Sequence, residues 1–151
     1  MGAFIWAAQQ ELFDQRKISR VVPGFVLQPS YTCFDDPRCD IELNGEFRAN
    51  NIENDVPFCK GTVAMGGVGM VASGTCFFIT LSDEAGQTLD GRFAAFGSVI
   101  GGWGTVEKIV NAPLRPVEND MGVAVNEPIT PIYLEKVTIE TWGRSYPFER
   151  L

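Results

Sequence analysis

Apolar and polar positions along this chain repeat mostly with a period of two, the spacing that puts successive side chains on opposite faces of a β-strand. The plainest case is "GTCFFITLSD", residues 74–83, where two adjacent phenylalanines must point to opposite faces. One of the pair therefore belongs to a core, and the other faces outward under a helix or into a pocket. "KISRVV" reads as a strand that Pro23-Gly24 breaks or bulges before "FVLQ" continues it. "GTVAMGGVG", 61–69, reads as a strand entering a glycine-rich turn, and "FAAFGSVIGG", 93–102, as another strand. In "IYLEKVTIETWG" Val137 and Ile139 alternate with Lys136, Thr138 and Glu140.

Helical spacing occurs twice. "FIWAAQQELF", 4–13, and "WGTVEKIVNA", 103–112, each carry apolar residues on one face. Residues 29–60 are polar and proline-broken, an irregular surface excursion, while 86–92 reads as a turn built on Asp90-Gly91. The stretch 113–131 is a loop rich in proline and acid. Short strands, few helices and many glycine turns predict a mainly β protein, an antiparallel barrel with helices outside. At 151 residues, a single domain over 1–151 is expected.

Composition narrows the chemistry. A net charge of −7 argues against a nucleic-acid surface and against docking on anionic lipid. No apolar run has the length of a membrane span. The start "MGAFIWAAQQELF" lacks a basic leader and meets Gln9, Gln10 and Glu11 early, so a cytoplasmic protein is expected. The chain has no histidine. That excludes Ser-His-Asp and Cys-His nucleophiles, imidazole bases and most zinc or iron ligand sets. Its four cysteines, Cys33, Cys39, Cys59 and Cys76, form no C-x-x-C pair. Cys33 and Cys39 could bridge in an oxidising compartment, but four reduced thiols are the expectation.

Two apparent motifs dissolve on inspection. Gly66-Gly67-Val68-Gly69 opens no helix and is followed by no Lys-Ser/Thr, so it reads as a tight turn rather than a phosphate loop. Asp35, Asp36 and Asp40 lack the glycine and terminal glutamate of a calcium loop and read as a solvated acidic loop. No metal or cofactor is expected. What remains is one arginine, Arg20, at the head of an apolar stretch that ends in Gln28.

Four segments resemble one family. "ISRVVPGFVLQ", "GTVAMGGVGMVASGTCFFITLSD", "LDGRFAAFGSVIGGWGTVEKI" and "TPIYLEKVTIETWG" follow the order and spacing of the cyclophilin-type peptidyl-prolyl cis-trans isomerases. The resemblance implies an eight-stranded antiparallel barrel capped by two helices, with an X-Pro peptide bound in a surface groove. It implies Arg20 as the catalytic residue and Gln28 as the groove glutamine. Phe25, Met65, Phe78 and Leu89 would form the proline pocket, with Val26 and Cys76 lining the groove. The backbone of Gly66-Gly67 would hold the substrate main chain, and Phe93 would form the pocket wall.

Several positions depart from the family pattern. Ser19 stands for a histidine, Pro29 and Ser30 for glycines, Gly67 for an asparagine, Cys76 for a glutamine, Thr88 for an aromatic and Phe93 for a histidine. The family's first two strands have no counterpart before the first helix. An open edge along 132–142 is therefore expected to recruit a second copy or a partner chain. The expected function is isomerisation of X-Pro bonds in peptides or unfolded proteins, assisting their folding. The alternatives are a proline-peptide-binding module with little turnover and an assembly subunit.

Overall fold

The structure, a computed structural model, describes residues 1–29, 36–119 and 122–151. Helix α1 (Gly2–Gln9) is shorter than the 4–13 expected from spacing. Glu11 and Gln15 adopt left-handed backbone, which ends the helix and turns Leu12 and Phe13 inward, where both are fully buried. The chain then forms β1 (Arg16–Lys17), β2 (Arg20–Val22) and β3 (Val26–Gln28). Pro23-Gly24 neither breaks nor bulges one continuing strand. It reverses the chain, with Gly24 at φ +75° and Phe25 N–H bonded to Val22 O at 2.9 Å. β2 and β3 are thus an antiparallel hairpin with Arg20 directly opposite Gln28.

The excursion over 29–60 is not wholly irregular. It contributes β4 (Glu42–Asn44), which pairs with the start of a longer strand. It also holds two 3₁₀ turns, Pro37–Cys39 and Arg48–Asn50. Asp36 caps the first of these and is no free solvated acid: its carboxylate accepts from Arg38 N at 2.9 Å and pairs with the Arg38 and Arg16 guanidiniums. These bonds, those of Arg38 foremost, hold its pKa down at about 2 against an ordinary 3.8. A depressed carboxylate stabilises the fold above its unfolded pKa and loses that contribution as pH falls through the folded value. The melting temperature should therefore drop between about pH 4 and pH 2, and Asp36→Asn should flatten that part of the curve. Equal slopes for the two proteins would refute this. Asp35 and Cys33 lie outside the described residues; Cys39, Cys59 and Cys76 are free thiols.

β5 (Thr62–Val68) and β6 (Val71–Thr80) form the central hairpin. Helix α2 (Asp83–Leu89) follows, where the sequence suggested only a turn. Ser82 caps it by accepting from Ala85 N at 3.0 Å, and Asp83 and Glu84 in its first turn suit the helix dipole. Gly86 is there for contact rather than for a turn, because a Cβ would lie 2.7 Å from Phe58 O. β7 (Ala94–Ser98), α3 (Trp103–Val110), β8 (Leu114–Arg115), β9 (Glu127–Pro128) and β10 (Tyr133–Leu134) complete the order.

The main sheet has six strands, in the order β2-β3-β6-β5-β7 with β4 also on β6; β1–β10 and β8–β9 are separate two-stranded ladders. All ladders are antiparallel. The mainly β reading therefore holds, with α2 as a helix beyond the two implied. Among the described residues no ladder joins these sheets into a closed ring. The expected C-terminal strand shrinks to β10. Beyond it Val137 and Ile139 still face the core while Lys136, Thr138 and Glu140 are exposed, so the alternation survives without the ladder.

The pleat sorts the apolar residues. On one face Met65, Phe77 and Ala94 meet α1, with Phe4, Phe13 and Phe77 forming an aromatic cluster. On the same side Val21 and Leu27 meet Val106, Ile109 and Val110 of α3. On the opposite face Val26, Ala64, Phe78 and Ala95 gather with Leu89 of α2. The adjacent phenylalanines do part company, one to each face. No helix among the described residues is long and apolar enough to cross a membrane.

Candidate active site

The second face carries the polar groups of interest. Ladder register puts Arg20, Val22, Val26 and Gln28 on the same side as Cys76, Phe78, Ala64 and Ala95. Arg20 is half-buried. Its Nη1 donates to Gln28 Oε1 at 3.3 Å, and its Nε donates to the Ala124 carbonyl at 2.7 Å. Gln28 is buried, and its Nε2 donates to Cys76 Sγ at 2.8 Å. Ser19 supports the hairpin by donating from its hydroxyl to Gln28 O at 3.4 Å.

Beside this polar chain lies the apolar patch. Phe25 reaches it from the hairpin turn and is fixed by its carbonyl, which accepts from Leu81 N at 2.9 Å. Ser82 Oγ donates to Gly24 O at 2.8 Å, tying the same turn to α2, which delivers Leu89. Phe93 stands edge-on to Phe78, centroids 5.2 Å apart and planes at 89°. So Arg20, Gln28, Phe25, Val26, Cys76, Phe78, Leu89 and Phe93 come together on one face.

Met65 does not join that group. Its ladder partner is Phe77, so it points to the α1 side and packs in that core. With Gly66, Gly67 and Phe93 it lines a cavity of about 370 Å³ at the outer end of β5. β7 pairs with β5 only as far as Met65, so Gly66–Val68 have no ladder partner on that side among the described residues. Gly66 and Gly67 are not in the expected tight turn, which lies at Gly69-Met70, but within β5 at its irregularity between Met65 and Gly67, and neither has room for a side chain. A Cβ on Gly66 would sit 2.7 Å from Cys76 Sγ, and one on Gly67 would sit 2.1 Å from the Val71 carbonyl oxygen. The family's asparagine would not fit at Gly67 without reshaping the hairpin.

Sequence reasoning missed three contributors. Val56 and Phe58 pad the patch from the excursion read as irregular. The Ala124 carbonyl comes from a loop that showed only proline and acid. A main-chain acceptor leaves no side-chain signature. The bridge Glu118↔Ala124 and the bond from Val117 N to Asn126 Oδ1 at 3.1 Å give that loop its shape.

The sequence profile of the cyclophilin-type peptidyl-prolyl cis-trans isomerases (the cyclophilin-like domain) matches residues 1–139. The chain belongs to that family. As a cyclophilin it is a peptidyl-prolyl cis-trans isomerase by class. Two crystal structures of a Cryptosporidium parvum cyclophilin-type peptidyl-prolyl cis-trans isomerase share its fold. The one determined in the presence of the dipeptide Ala-Pro has a TM-score of 0.69 at 18% identity, covering 92% of this chain and 83% of that one. The other gives the same TM-score and identity over 92% and 82%. Among curated proteins no match is found. This cyclophilin therefore keeps the family architecture, with Cys76 and Phe93 on the face that carries Arg20 and Gln28, while Thr88 is exposed on α2 and its hydroxyl donates to Glu84 O at 2.9 Å.

Proposed function

We propose that this cyclophilin isomerises X-Pro bonds of peptides and unfolded proteins, assisting their folding, with Arg20 as the catalytic residue. The observation that carries the reading is the Arg20–Gln28 hydrogen bond across the hairpin, at the rim of the patch formed by Val26, Phe78 and Leu89. The proline ring would rest on Phe25, Phe78 and Leu89, with Phe93 as wall. The edge at Gly66-Gly67, near Met65, would take the substrate main chain. Val26, Gln28 and Cys76 would line the groove.

The chemistry suits a chain without histidine. Amide resonance sets a rotation barrier of roughly 18–20 kcal/mol, and an X-Pro bond turns over unaided in tens to hundreds of seconds. A turnover of about 10 to 10³ per second needs roughly 4–7 kcal/mol of transition-state stabilisation. No bond breaks and no proton need move. As the amide twists, its nitrogen becomes pyramidal and gains a lone pair. A guanidinium aimed at that lone pair favours only the twisted state, which is what catalysis requires. One preorganised donor in a dry site supplies about 3–4 kcal/mol. Exclusion of water from the planar amide, whose resonance form is charge-separated, contributes to the remainder. Arginine suits this role because it stays charged and offers a rigid fork of donors.

A second reading, a proline-peptide-binding module with little turnover, is favoured by Phe93, whose ring occupies part of the patch beside Phe78. A proline-isomerisation assay on a short X-Pro peptide, with Arg20→Ala alongside, separates the two. Equal rates with retained peptide binding would select the binding module. We also infer that a second copy or a partner chain pairs with the stretch after β10, supported by the alternating burial of Val137 and Ile139 without a ladder. Light scattering should then show a species larger than one chain. A monodisperse monomer that melts cooperatively would refute it.

A further inference from the structure

The polar chain at the groove contains a residue that the family pattern does not supply. Cys76 lies on β6, two residues before Phe78, and so on the groove face. It is buried, as is Gln28. A buried primary amide needs partners at both ends. An arginine side chain has only donors, so only the oxygen end of Gln28 can serve Arg20. The nitrogen end must then find an acceptor elsewhere, and Cys76 Sγ at 2.8 Å is that acceptor. Space for the sulfur comes from the partner strand, where Gly66 stands opposite and a Cβ would be 2.7 Å from it.

Resting on the reading of Arg20 as the catalyst, we propose that Cys76 is a positioning residue for the isomerisation. Its sulfur anchors the Gln28 amide, and Gln28 Oε1 in turn fixes Nη1 of Arg20. The Ala124 carbonyl fixes Nε of the same guanidinium. These anchors hold the plane of a rigid fork, and the Cys76 sulfur in turn holds one of them. Without Cys76 the amide nitrogen loses its acceptor, the amide rotates to find another, and the guanidinium loses its aim while the apolar patch stays whole.

The test uses Cys76→Val, close in volume but without an acceptor, and Cys76→Ser, which keeps one. Cys76→Val should lower kcat/KM on an X-Pro peptide roughly tenfold, the effect of losing one hydrogen bond to the catalytic network. Peptide Kd by titration should stay within about twofold, and Cys76→Ser should recover most of the rate. In a Gln28→Leu background Cys76→Val should change nothing further, because the link through the Gln28 amide is gone. A purely packing role would persist in that background, and that result would overturn the proposal. So would a Cys76→Val enzyme with the normal rate beside an impaired Arg20→Ala. If Arg20→Ala itself turns over normally, the catalytic reading fails and the positioning role with it. Thermal melts of each variant identify any loss that is simply unfolding, and Cys76→Ser then carries the test, with a rate as low as that of Arg20→Ala in a folded Ser variant refuting it.

Discussion

Arg20→Ala should lower kcat/KM for a short X-Pro peptide by on the order of 10²- to 10³-fold, the scale of one preorganised transition-state donor. The loss should fall on turnover rather than on binding. The proline ring is expected to rest on Phe25, Phe78 and Leu89, which do not depend on the guanidinium for their packing. Arg20 is half-buried and bonded to Gln28 and Ala124, so its removal also costs the fold those two hydrogen bonds, about 1–3 kcal/mol of stability. That is too little to unfold an ordinary domain. Arg20→Lys should recover little, because a point charge on a flexible stem cannot hold Ala124, Gln28 and a substrate nitrogen with one rigid fork. Measuring kcat/KM together with peptide Kd checks each part. A variant that binds and turns over normally removes Arg20 from the mechanism.

Phe13→Ala should produce the largest loss of stability, about 3–5 kcal/mol. The side chain is fully buried at the crossing of α1 and the main sheet. Its ring lies 5.2 Å from Phe4 and 5.3 Å from Phe77, the latter edge-on. Truncation leaves a cavity bounded by rings that the sheet and helix hold apart, so collapse onto it is limited. For a chain of this length about 2–4 °C is lost per kcal/mol, which puts the fall in melting temperature at roughly 6–20 °C. A calorimetric shift under about 3 °C would mean that the helix is free to close over the gap.

Period-two alternation made β6 and the parting of Phe77 and Phe78 readable, because both faces of that strand are covered. Elsewhere local pattern misled. Val21-Val22 and Val26-Leu27 look like one interrupted strand, since a hairpin keeps the alternation running across its turn. Gly86 and Asp90-Gly91 imitate a turn, and only the Ser82 cap with Asp83 and Glu84 marks α2 as a helix. β4 and the patch contributors Val56 and Phe58 depend on tertiary contacts that no local window records. At the site, motif resemblance brought Arg20, Gln28, Phe25, Phe78 and Leu89 into one group, and they do share a face. It also grouped Met65 with them, whereas register against Phe77 turns Met65 to the other side. Parity along a strand is settled by its pairing, and pairing was not legible.

The face that carries Arg20, Gln28 and Phe78 and the aromatic core are opposite faces of the same few strands. Neighbouring residues in the chain therefore answer to different demands. Phe77 is constrained by the packing of α1, while Phe78 and Cys76 on either side of it point to the other face, Phe78 packed with Leu89 of α2 and Cys76 bonded to Gln28. The chain shares only 18% of its residues with another cyclophilin over most of its length, yet keeps that architecture. In laboratory evolution the alternate positions of β3 and β6 are the ones to randomise for new peptide preferences, and their immediate neighbours the ones to hold fixed.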